Sequence, residues 1–465
     1  MTDQPYIYCI NDKLYNLSDF VSKHPGGTDV FYNLHLWTFT PFRIKDAQYA
    51  TPSTLITAHK VGVSQGSSGT DVPAFVNEKR CKTPTSSAVM NDKGVADWAF
   101  EMPNCVNPHI DITPMIYSYH KDVNVVFEVL SKYEISTIGS IAYKTNYNYE
   151  KYKDLKRRVY NEIRDRALPL YWSTTEVFYN MGGFAIYILI WVYCGQLATY
   201  GSVSMWWFLL LATINIGHCA LIFHETSHYT GFKNQQLNTL VSYIAVAPIL
   251  TTEEWKWDHN YLHHGFTNTA FDTDFNGHQL TLRHSSEQPH YFQHRFQHLY
   301  VFVLLCLGGF SGQIDSIKHK RFNILLFLFI LYWFGFYPTL TFYSLTGFLF
   351  LMTAQLSHIQ PECVSNKSND FLEIQVTSAV NYRTTNFVSR YLCFGLDIQI
   401  EHHLFPNIPH STLRQIQPII RAYCNENGIS YIERANVFET AKTYLQHLYK
   451  MSKFTDCSKR FQKML

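Results

Sequence analysis

Histidine is concentrated in four short segments in the second half of the 465-residue chain. Three are boxes with two or more histidines (HETSH, HNYLHH and QIEHH), and the fourth is the single histidine of AQLSH. These histidines are His224, His228, His259, His263, His264, His402, His403 and His358. Neutral imidazole is the commonest protein ligand for iron, copper and zinc. The clustering therefore predicts a metal centre built from distant parts of the chain.

Spacing within the boxes predicts that their imidazoles point at a shared site. Residues four apart on a helix lie on one face, which pairs His224 with His228 and His259 with His263. The third box adds Gln399, three residues before its histidine pair, as a further donor. A zinc site usually closes with four ligands, so eight histidines favour two metal ions with positions open for dioxygen.

Carboxylates next to the boxes are predicted to orient the imidazoles, because a metal-bound histidine usually donates its second ring N–H to an acceptor. The predicted acceptors are Glu225, Asp258, Asp272, Asp274 and Glu401. By contrast, the isolated His218 is predicted to be a packing residue.

Long apolar stretches predict that the site lies at a membrane. Four stretches, 177–197, 202–222, 322–340 and 341–357, have about the 20 residues needed to cross a bilayer. Two shorter runs at 237–251 and 299–312 are predicted to lie in the interface or the core, with a full span as the alternative. The expected fold is mostly α, a four-helix transmembrane bundle under a histidine-rich cap.

Basic residues predict the orientation of these spans. Seven Lys and Arg residues lie between 151 and 166, before the first span, and three lie between 318 and 321, before the third. By the positive-inside rule both ends of the chain and the 223–321 loop are cytosolic. All the histidine segments then lie on that side. The first twenty residues lack a basic start followed by an apolar core, so no signal peptide is predicted.

Composition narrows the class of function. A net charge of +2 argues against a nucleic-acid partner. The ten cysteines form no CxxC pair, which favours a reducing, cytosol-facing location. Removing hydrogens from the methylene groups of a lipid requires an oxidant made from dioxygen at a redox metal, and zinc has no redox chemistry. These features predict a membrane-bound, iron-dependent lipid oxidoreductase.

Two N-terminal segments carry histidines in a different pattern. FVSKHPGGTDVF places His24 before a Pro-Gly-Gly turn, and DITPMIYSYHKD contains His120. These resemble the two haem-ligand segments of cytochrome b5-type domains, and the resemblance implies that His24 and His120 are the axial ligands of haem b. Haem iron held by two side chains has no vacancy for oxygen and passes single electrons.

The N-terminal unit, residues 1–150, departs from that family in length. The extra distance between its two histidines implies an insertion at about 35–106. A surface loop of this size is tolerable because closure entropy grows slowly with length. Residues 64–95 are rich in Ser, Thr, Gly and Pro, which fits a mobile insertion. His59 is the alternative second ligand, and a domain that has lost haem is the alternative to a loop.

Together the motifs resemble those of front-end fatty-acyl desaturases fused to a cytochrome b5-type domain. The resemblance covers residues 1 to about 450 and rests on HPGG, HETSH, HNYLHH followed by TN, and QIEHHLFPNIP. Gln399 in place of the first histidine of the third box is typical of this branch, and the AQLSH match implies a ligand role for His358. There are two departures. Glu225 stands where Asp is commoner, and three residues rather than two precede the pair His263–His264, a spacing that could shift one ligand.

The resemblance implies a membrane fatty acid desaturase domain at 151–465 that holds two iron ions, a di-iron centre. It implies a multi-pass enzyme of the endoplasmic-reticulum membrane with cytosolic N- and C-terminal parts, reduced by an NADH-dependent cytochrome b5 reductase. With dioxygen it would insert a double bond towards the carboxyl end of an already unsaturated chain, on a membrane lipid or acyl-CoA. A sphingolipid long-chain-base desaturase and a lipid hydroxylase are close alternatives. A zinc membrane hydrolase and a haem sensor with an inactive catalytic half are alternatives from other classes.

Overall fold

A computed structural model describes the chain at residues 7–11, 13–25, 111–137, 147–247, 249–269, 272–276, 280–286, 288–363, 368–384, 393 and 395–453. The expected insertion at about 35–106 and the alternative haem ligand His59 lie outside the described residues.

The N-terminal unit contains a three-stranded antiparallel sheet in the order β1-β2-β3. Helix α1 begins with Pro114 in its first turn, where the missing N–H costs nothing, and the Asp122 side chain caps α2. Residues of the sheet and of α1 form a small apolar core. The elements are β1 Ile7–Ile10, β2 Lys13–Asn16, α1 Thr113–Tyr119, α2 Val123–Leu130 and β3 Glu134–Thr137.

Helix α3, Glu150–Asp165, connects this unit to the rest of the chain. Its buried residues include Tyr152, Leu155, Val159 and Ile163, a spacing of three and four that gives a helix one apolar face. This face packs into a core shared with the C-terminal helices.

Two long apolar helices match the first two predicted spans. They are α4 Thr174–Thr199 and α5 Met205–Ser227, of 26 and 23 residues. A capping box between Ser173 and Glu176 begins α4. Large apolar side chains such as Leu189 stay exposed on these helices, as expected for a surface that faces lipid.

The segment after α5 contains short elements around the second histidine box. Helix α6, Gln235–Ala245, has 11 residues, in agreement with the prediction that the 237–251 run is not a span. After it come α7 Thr252–Trp255, a π-helix at Lys256–His263, α8 His264–Phe266 and α9 Thr273–Asn276.

The second half of the membrane region differs from the prediction. Helix α12, Asn323–Phe334, has 12 residues and at 1.5 Å per residue covers about 18 Å of a core about 30 Å thick. The predicted span 322–340 is therefore wrong, because Gly335 at φ +81° ends the helix. The next long apolar helix, α13, already begins at Phe336 and runs to His358. Pro338 lies in its first turn, where proline is tolerated.

The shorter run 299–312 belongs to a bent pair of helices. The pair Phe292–Gly308 and Ser311–Lys318 is bent by 50° and together meets the length and hydropathy expected of a broken span. Its α-helical parts are α10 Gln297–Gly308 and α11 Ser311–Lys318. The described residues thus hold three long apolar helices, or four spans if the bent pair counts as one.

The C-terminal part covers one end of these helices. It consists of α14 Phe371–Thr377, β4 Asn381–Tyr382, α15 Gln399–Leu404, α16 His410–Glu426, β5 Glu433–Arg434 and α17 Val437–Met451. The two short strands pair in parallel. Helix α15 is fully buried between α14 and α16, which fixes the position of the third histidine box. The prediction of a mostly helical chain is confirmed.

Candidate metal centre

The first histidine box forms the C-terminal turn of α5. His224 lies in the last turn and His228 is the C-cap residue, whose backbone N–H donates to the His224 carbonyl at 3.2 Å. The two ring centroids are 4.8 Å apart. The predicted shared face is therefore present.

The second box lies at the end of the π-helix and brings together residues that an α-helix would separate. His259 and His264 are five residues apart, which corresponds to about 140° around an α-helix. A π-helix forms i→i+5 hydrogen bonds, so these two residues lie nearly one above the other. Their Nε2 atoms are 3.3 Å apart. The additional residue in HNYLHH is thus accommodated by the backbone, and His264 still reaches the site.

Four histidines form what we call the first cluster: His224, His228, His259 and His402. One ring nitrogen of each lies within 4.8 Å of the others, and the Nε2 atoms of His224 and His259 are 3.1 Å apart. His264 adjoins this cluster, with its ring centroid 4.7 Å from that of His228.

Three more histidines form the second cluster: His263, His358 and His403. The His358 Nε2 lies 3.3 Å from the His263 Nε2 and 3.1 Å from the His403 Nε2. The Gln399 side-chain nitrogen is 3.0 Å from the same His358 atom. The eight predicted histidines and Gln399 are therefore all brought together.

Each His-His pair supplies both clusters. Successive residues on a helix point about 100° apart, so His402 joins the first cluster and its neighbour His403 joins the second. His259 and His263 lie on one face with rings 5.2 Å apart. They belong to different histidine clusters, but with Asp274 they also form a third group whose ligand atoms lie within 4.8 Å of one another, as the prediction of a shared centre requires.

The geometry of the clusters fits metal ions. Two imidazole nitrogens bound to one ion at about 2.1 Å lie about 3.0–3.4 Å apart, and the Nε2 pairs above fall within that range. The His228 Nε2 and both ring nitrogens of His402 are buried and have no hydrogen-bond partner among the described residues. Buried polar atoms are normally paired, and an ion in the first cluster would pair the His228 Nε2 and one of the two His402 nitrogens.

The protonation of four of these histidines also suits metal binding, whereas at His263 the Asp272 carboxylate outweighs burial and raises the pKa. Burial, together with the neighbouring imidazoles, lowers the pKa of His259, His264, His402 and His403 well below the usual value. These rings are consequently neutral at physiological pH. The neutral ring is the form that binds metals.

Hydrogen bonds on the outer nitrogens fix several rings. The Nδ1 of His263 donates to the Asp272 carboxylate at 3.0 Å, and that of His358 donates to the Ser378 carbonyl at 2.9 Å. The His403 Nδ1 lies 3.2 Å from the Gln375 side-chain oxygen. In each case Nε2 is left facing the cluster.

Of the predicted carboxylate acceptors, Asp272 accepts a hydrogen bond from His263, and Asp274 lies further from the same ring. Asp274 lies 3.7 Å from the His263 Nδ1 and 4.0 Å from the His259 Nδ1. The remaining three were predicted wrongly because their helices point them into other contacts. Glu225 bonds Trp172 and His410, Glu401 bonds Asn381 and Tyr431, and Asp258 bonds Thr273.

His410, which the spacing of the histidine boxes does not predict as part of the site, lies against the first cluster. Its ring stacks on His402 with centroids 5.3 Å apart, and its Nδ1 lies 3.0 Å from Glu225. Its place in HHLFPNIPH, eight residues after His402, was the available signal. The acceptors Gln375 and Ser378 carry no such signal, since they are ordinary polar residues of α14 and its C-cap.

A cavity of about 360 Å³ opens beside the two clusters. His224, His259, His263 and His358 line one wall. A second, smaller cavity shares the residues Ala220, Leu250 and Phe350 with it and is otherwise lined by Ile216, Gly217, Val246, Ile249, Thr346 and Leu349. This second cavity, of about 20 Å³, lies between α5 and α13 and adjoins the larger one through their shared residues.

The two N-terminal histidines face each other. The ring centroids of His24 and His120 are 6.1 Å apart, with their planes at 78°. The His120 Nδ1 donates to the Ile116 carbonyl at 3.1 Å, so its Nε2 remains for a ligand. Burial lowers the pKa of His120 to about 4, which keeps this ring neutral.

Comparison with known proteins gives one family. A family model described as fatty acid desaturase matches residues 200–435. The acyl-lipid omega-13 desaturase of Chlamydomonas reinhardtii is 24% identical over 305 residues, which cover 54% of this chain and 64% of the relative. The sn-1 linoleoyl-lipid 6-desaturase of Synechocystis sp. is 27% identical over 268 residues, 49% of this chain and 73% of the relative. Delta(5) fatty acid desaturase A of Dictyostelium discoideum is 23% identical over 407 residues, which cover 75% of this chain and 85% of the relative. The match thus spans less than two thirds of the first of these relatives.

Proposed function

Since the chain belongs to the fatty acid desaturase family, we propose that it is a front-end desaturase. It inserts a double bond between an existing one and the carboxyl end of an acyl chain. The observation that carries this proposal is the convergence of eight histidines into two clusters beside an apolar cavity. The similarity to proteins named 6-desaturase and delta(5) desaturase supports the front-end position.

We propose that the two clusters hold two iron ions. The first would be held by His224, His228, His259, His264 and His402, and the second by His263, His358, His403 and Gln399. When bound, the irons supply the oxidant made from dioxygen that removes hydrogen from an unactivated chain. Asp272 and the Ser378 carbonyl hold the Nδ1 protons of His263 and His358, which leaves Nε2 of both rings unprotonated for the metal.

The cavity is the proposed site of the acyl chain. The chain would reach the histidines past the apolar residues between α5 and α13 that line the small adjoining cavity. The reaction removes one hydrogen from each of two neighbouring carbons. Dioxygen is reduced to two water molecules by these two hydrogens together with two further electrons and two protons.

The N-terminal unit is the proposed electron donor, with haem b held between His24 and His120. The two imidazoles lie with their ring centroids 6.1 Å apart, and they would be the two side chains that hold the haem iron, which would then supply single electrons. Such a haem passes one electron at a time, so two transfers serve each double bond. An NADH-dependent cytochrome b5 reductase is the proposed source, and the cytosolic face of the endoplasmic reticulum the proposed location.

The test is expression in a host fed several polyunsaturated acids, with mass-spectrometric location of new double bonds. We expect a new double bond on the carboxyl side of an existing one, and none with a His263→Ala, His402→Ala double variant. A hydroxylated lipid or a desaturated long-chain base instead of this product would replace the proposal with the corresponding alternative. The absence of any new lipid, with the protein present in the membrane, would contradict it.

A further inference from the structure

One contact joins the N-terminal unit directly to the metal centre. The hydroxyl of Tyr119, the last residue of α1, lies 2.8 Å from the Nδ1 of His228. The Tyr119 ring is stacked on the imidazole, with centroids 6.1 Å apart and planes at 17°. Tyr119 is also the neighbour in sequence of His120, one of the two histidines that face each other in the N-terminal unit.

The hydrogen bonds around this contact fit the tautomer of His228 that binds a metal ion through Nε2. The Tyr119 hydroxyl has a second neighbour, the Asn260 carbonyl at 3.4 Å, and a carbonyl can only accept. With Nε2 of His228 on the proposed metal ion, Nδ1 carries the ring proton and donates to the Tyr119 hydroxyl, whose own proton is then directed at the Asn260 carbonyl. The Nε2 of His228 is then unprotonated, and it is the buried atom with no hydrogen-bond partner among the described residues.

The end of α1 is held in place by residues from the other part of the chain. The Asn407 side chain donates to the Tyr119 carbonyl at 2.9 Å, and the Lys156 ammonium donates to the His120 carbonyl at 2.8 Å. Met115 and Ile116 of α1 share an apolar core with Trp257 of the π-helix. The Tyr119 hydroxyl is thus positioned by the docked interface rather than by α1 alone.

We propose that Tyr119 is a positioning residue of the metal centre, contributed by the N-terminal unit, which holds His228 with Nε2 directed at the first cluster. Asp272, Ser378 and Gln375 do the same for the rings of the second cluster from within the desaturase part. For the first cluster the N-terminal unit supplies this contact, so metal affinity there depends on the docking of the electron-donor unit. The inference rests on the proposed metal binding.

The test uses the full-length protein in detergent, stripped of metal by a chelator and titrated with Co²⁺, whose visible absorption reports its ligands. Tyr119→Phe removes one oxygen and keeps the stacked ring. We expect it to weaken one class of Co²⁺ site by about 10- to 100-fold and to change the Co²⁺ spectrum, while haem absorbance stays as in the wild type. The matched control is Tyr117→Phe on the same helix, whose ring stacks on Tyr149 and which should titrate as the wild type does.

A double-variant comparison separates positioning from packing. If Tyr119 acts through His228, Tyr119→Phe should cause no further loss of Co²⁺ affinity in a His228→Ala protein. Wild-type affinity and spectrum in Tyr119→Phe would overturn the inference, and so would an undiminished additional loss in the His228→Ala background. A wild-type protein that binds no Co²⁺ would instead contradict the proposed metal centre itself, so the two failures are distinguishable.

Discussion

The Nε2 atoms of His259 and His264 lie 3.3 Å apart although five residues separate the two positions. The π-helix at Lys256–His263 is the reason, since its wider turn places residues five apart on one face. Single π-turns inside helices are frequent at functional sites. Here the π-helix lets a box with an additional residue present the same three imidazoles.

This relationship predicts how the box tolerates changes in length. Deleting Leu262 gives the spacing His-x-x-His-His, which an ordinary α-helix presents on one face, so we expect Co²⁺ binding to be retained. Inserting an alanine after Leu262 adds a residue that the π-helix cannot accommodate, and we expect binding to be lost. Co²⁺ titration of both variants is the measurement. The interpretation would be wrong if the deletion abolished binding and the insertion did not.

Removing single ligands tests the clusters one at a time. His402→Ala removes a ring from the first cluster and His263→Ala one from the second. We expect either variant to lose product formation and to bind less iron while remaining in the membrane. His298→Ala is the matched control, because that ring packs on Tyr449 away from both clusters. Substantial residual activity in a ligand variant would remove that residue from the site.

Replacing His24 by alanine tests the N-terminal unit. The ring centroids of His24 and His120, the proposed haem ligands, are 6.1 Å apart. Losing one ring should therefore abolish the haem absorbance and most turnover. Added soluble cytochrome b5 should restore part of the activity, because the metal centre is untouched. Survival of the reduced haem band in His24→Ala would show that the ligand assignment is wrong.

Filling the passage between the two cavities tests the path of the substrate. Ala220 lines both, and Ala220→Phe places a ring where the chain would pass. We expect turnover per iron-loaded protein to fall because the ring blocks the chain, and the comparison is made per iron-loaded protein because overpacking also costs about 1–3 kcal/mol of folding stability. Leu210→Phe on the exposed side of the same helix is the control. Equal product yields from Ala220→Phe and wild type would exclude this path.

Lys156 makes the stability of the protein depend on pH. Burial lowers the pKa of Lys156 to about 7, whereas in the unfolded chain it is about 10.4. Between these values the unfolded state binds more protons, so this residue's contribution to stability rises with pH. We expect the difference in melting temperature between wild type and Lys156→Met, measured in detergent, to shift in favour of the wild type from pH 7 to 10.

The control for this measurement is Lys153→Met. That lysine is on the same helix, is exposed and pairs with Glu150 at 2.8 Å, so its effect should be the same across the pH range. A Lys156→Met difference that does not change with pH would contradict the lowered pKa of the buried Lys156.

The sequence alone determined the features that follow from helical spacing and from the length of apolar stretches. The four-residue spacing of His224 and His228 places both on one helical face, and two apolar stretches of spanning length became α4 and α5. These predictions hold because a helix directs its side chains by its own geometry, whatever packs around it.

Only the tertiary structure decided which elements meet. It divided the histidines into two clusters, paired Asp272 with the box histidine His263 but Glu225 with His410, and brought Tyr119 to His228 from more than 100 residues away. Hydropathy also did not predict the helix break at Gly335, because hydropathy measures composition and not the backbone angle of one residue. Contacts between distant elements follow from how their surfaces pack together, and no spacing along the chain encodes that packing.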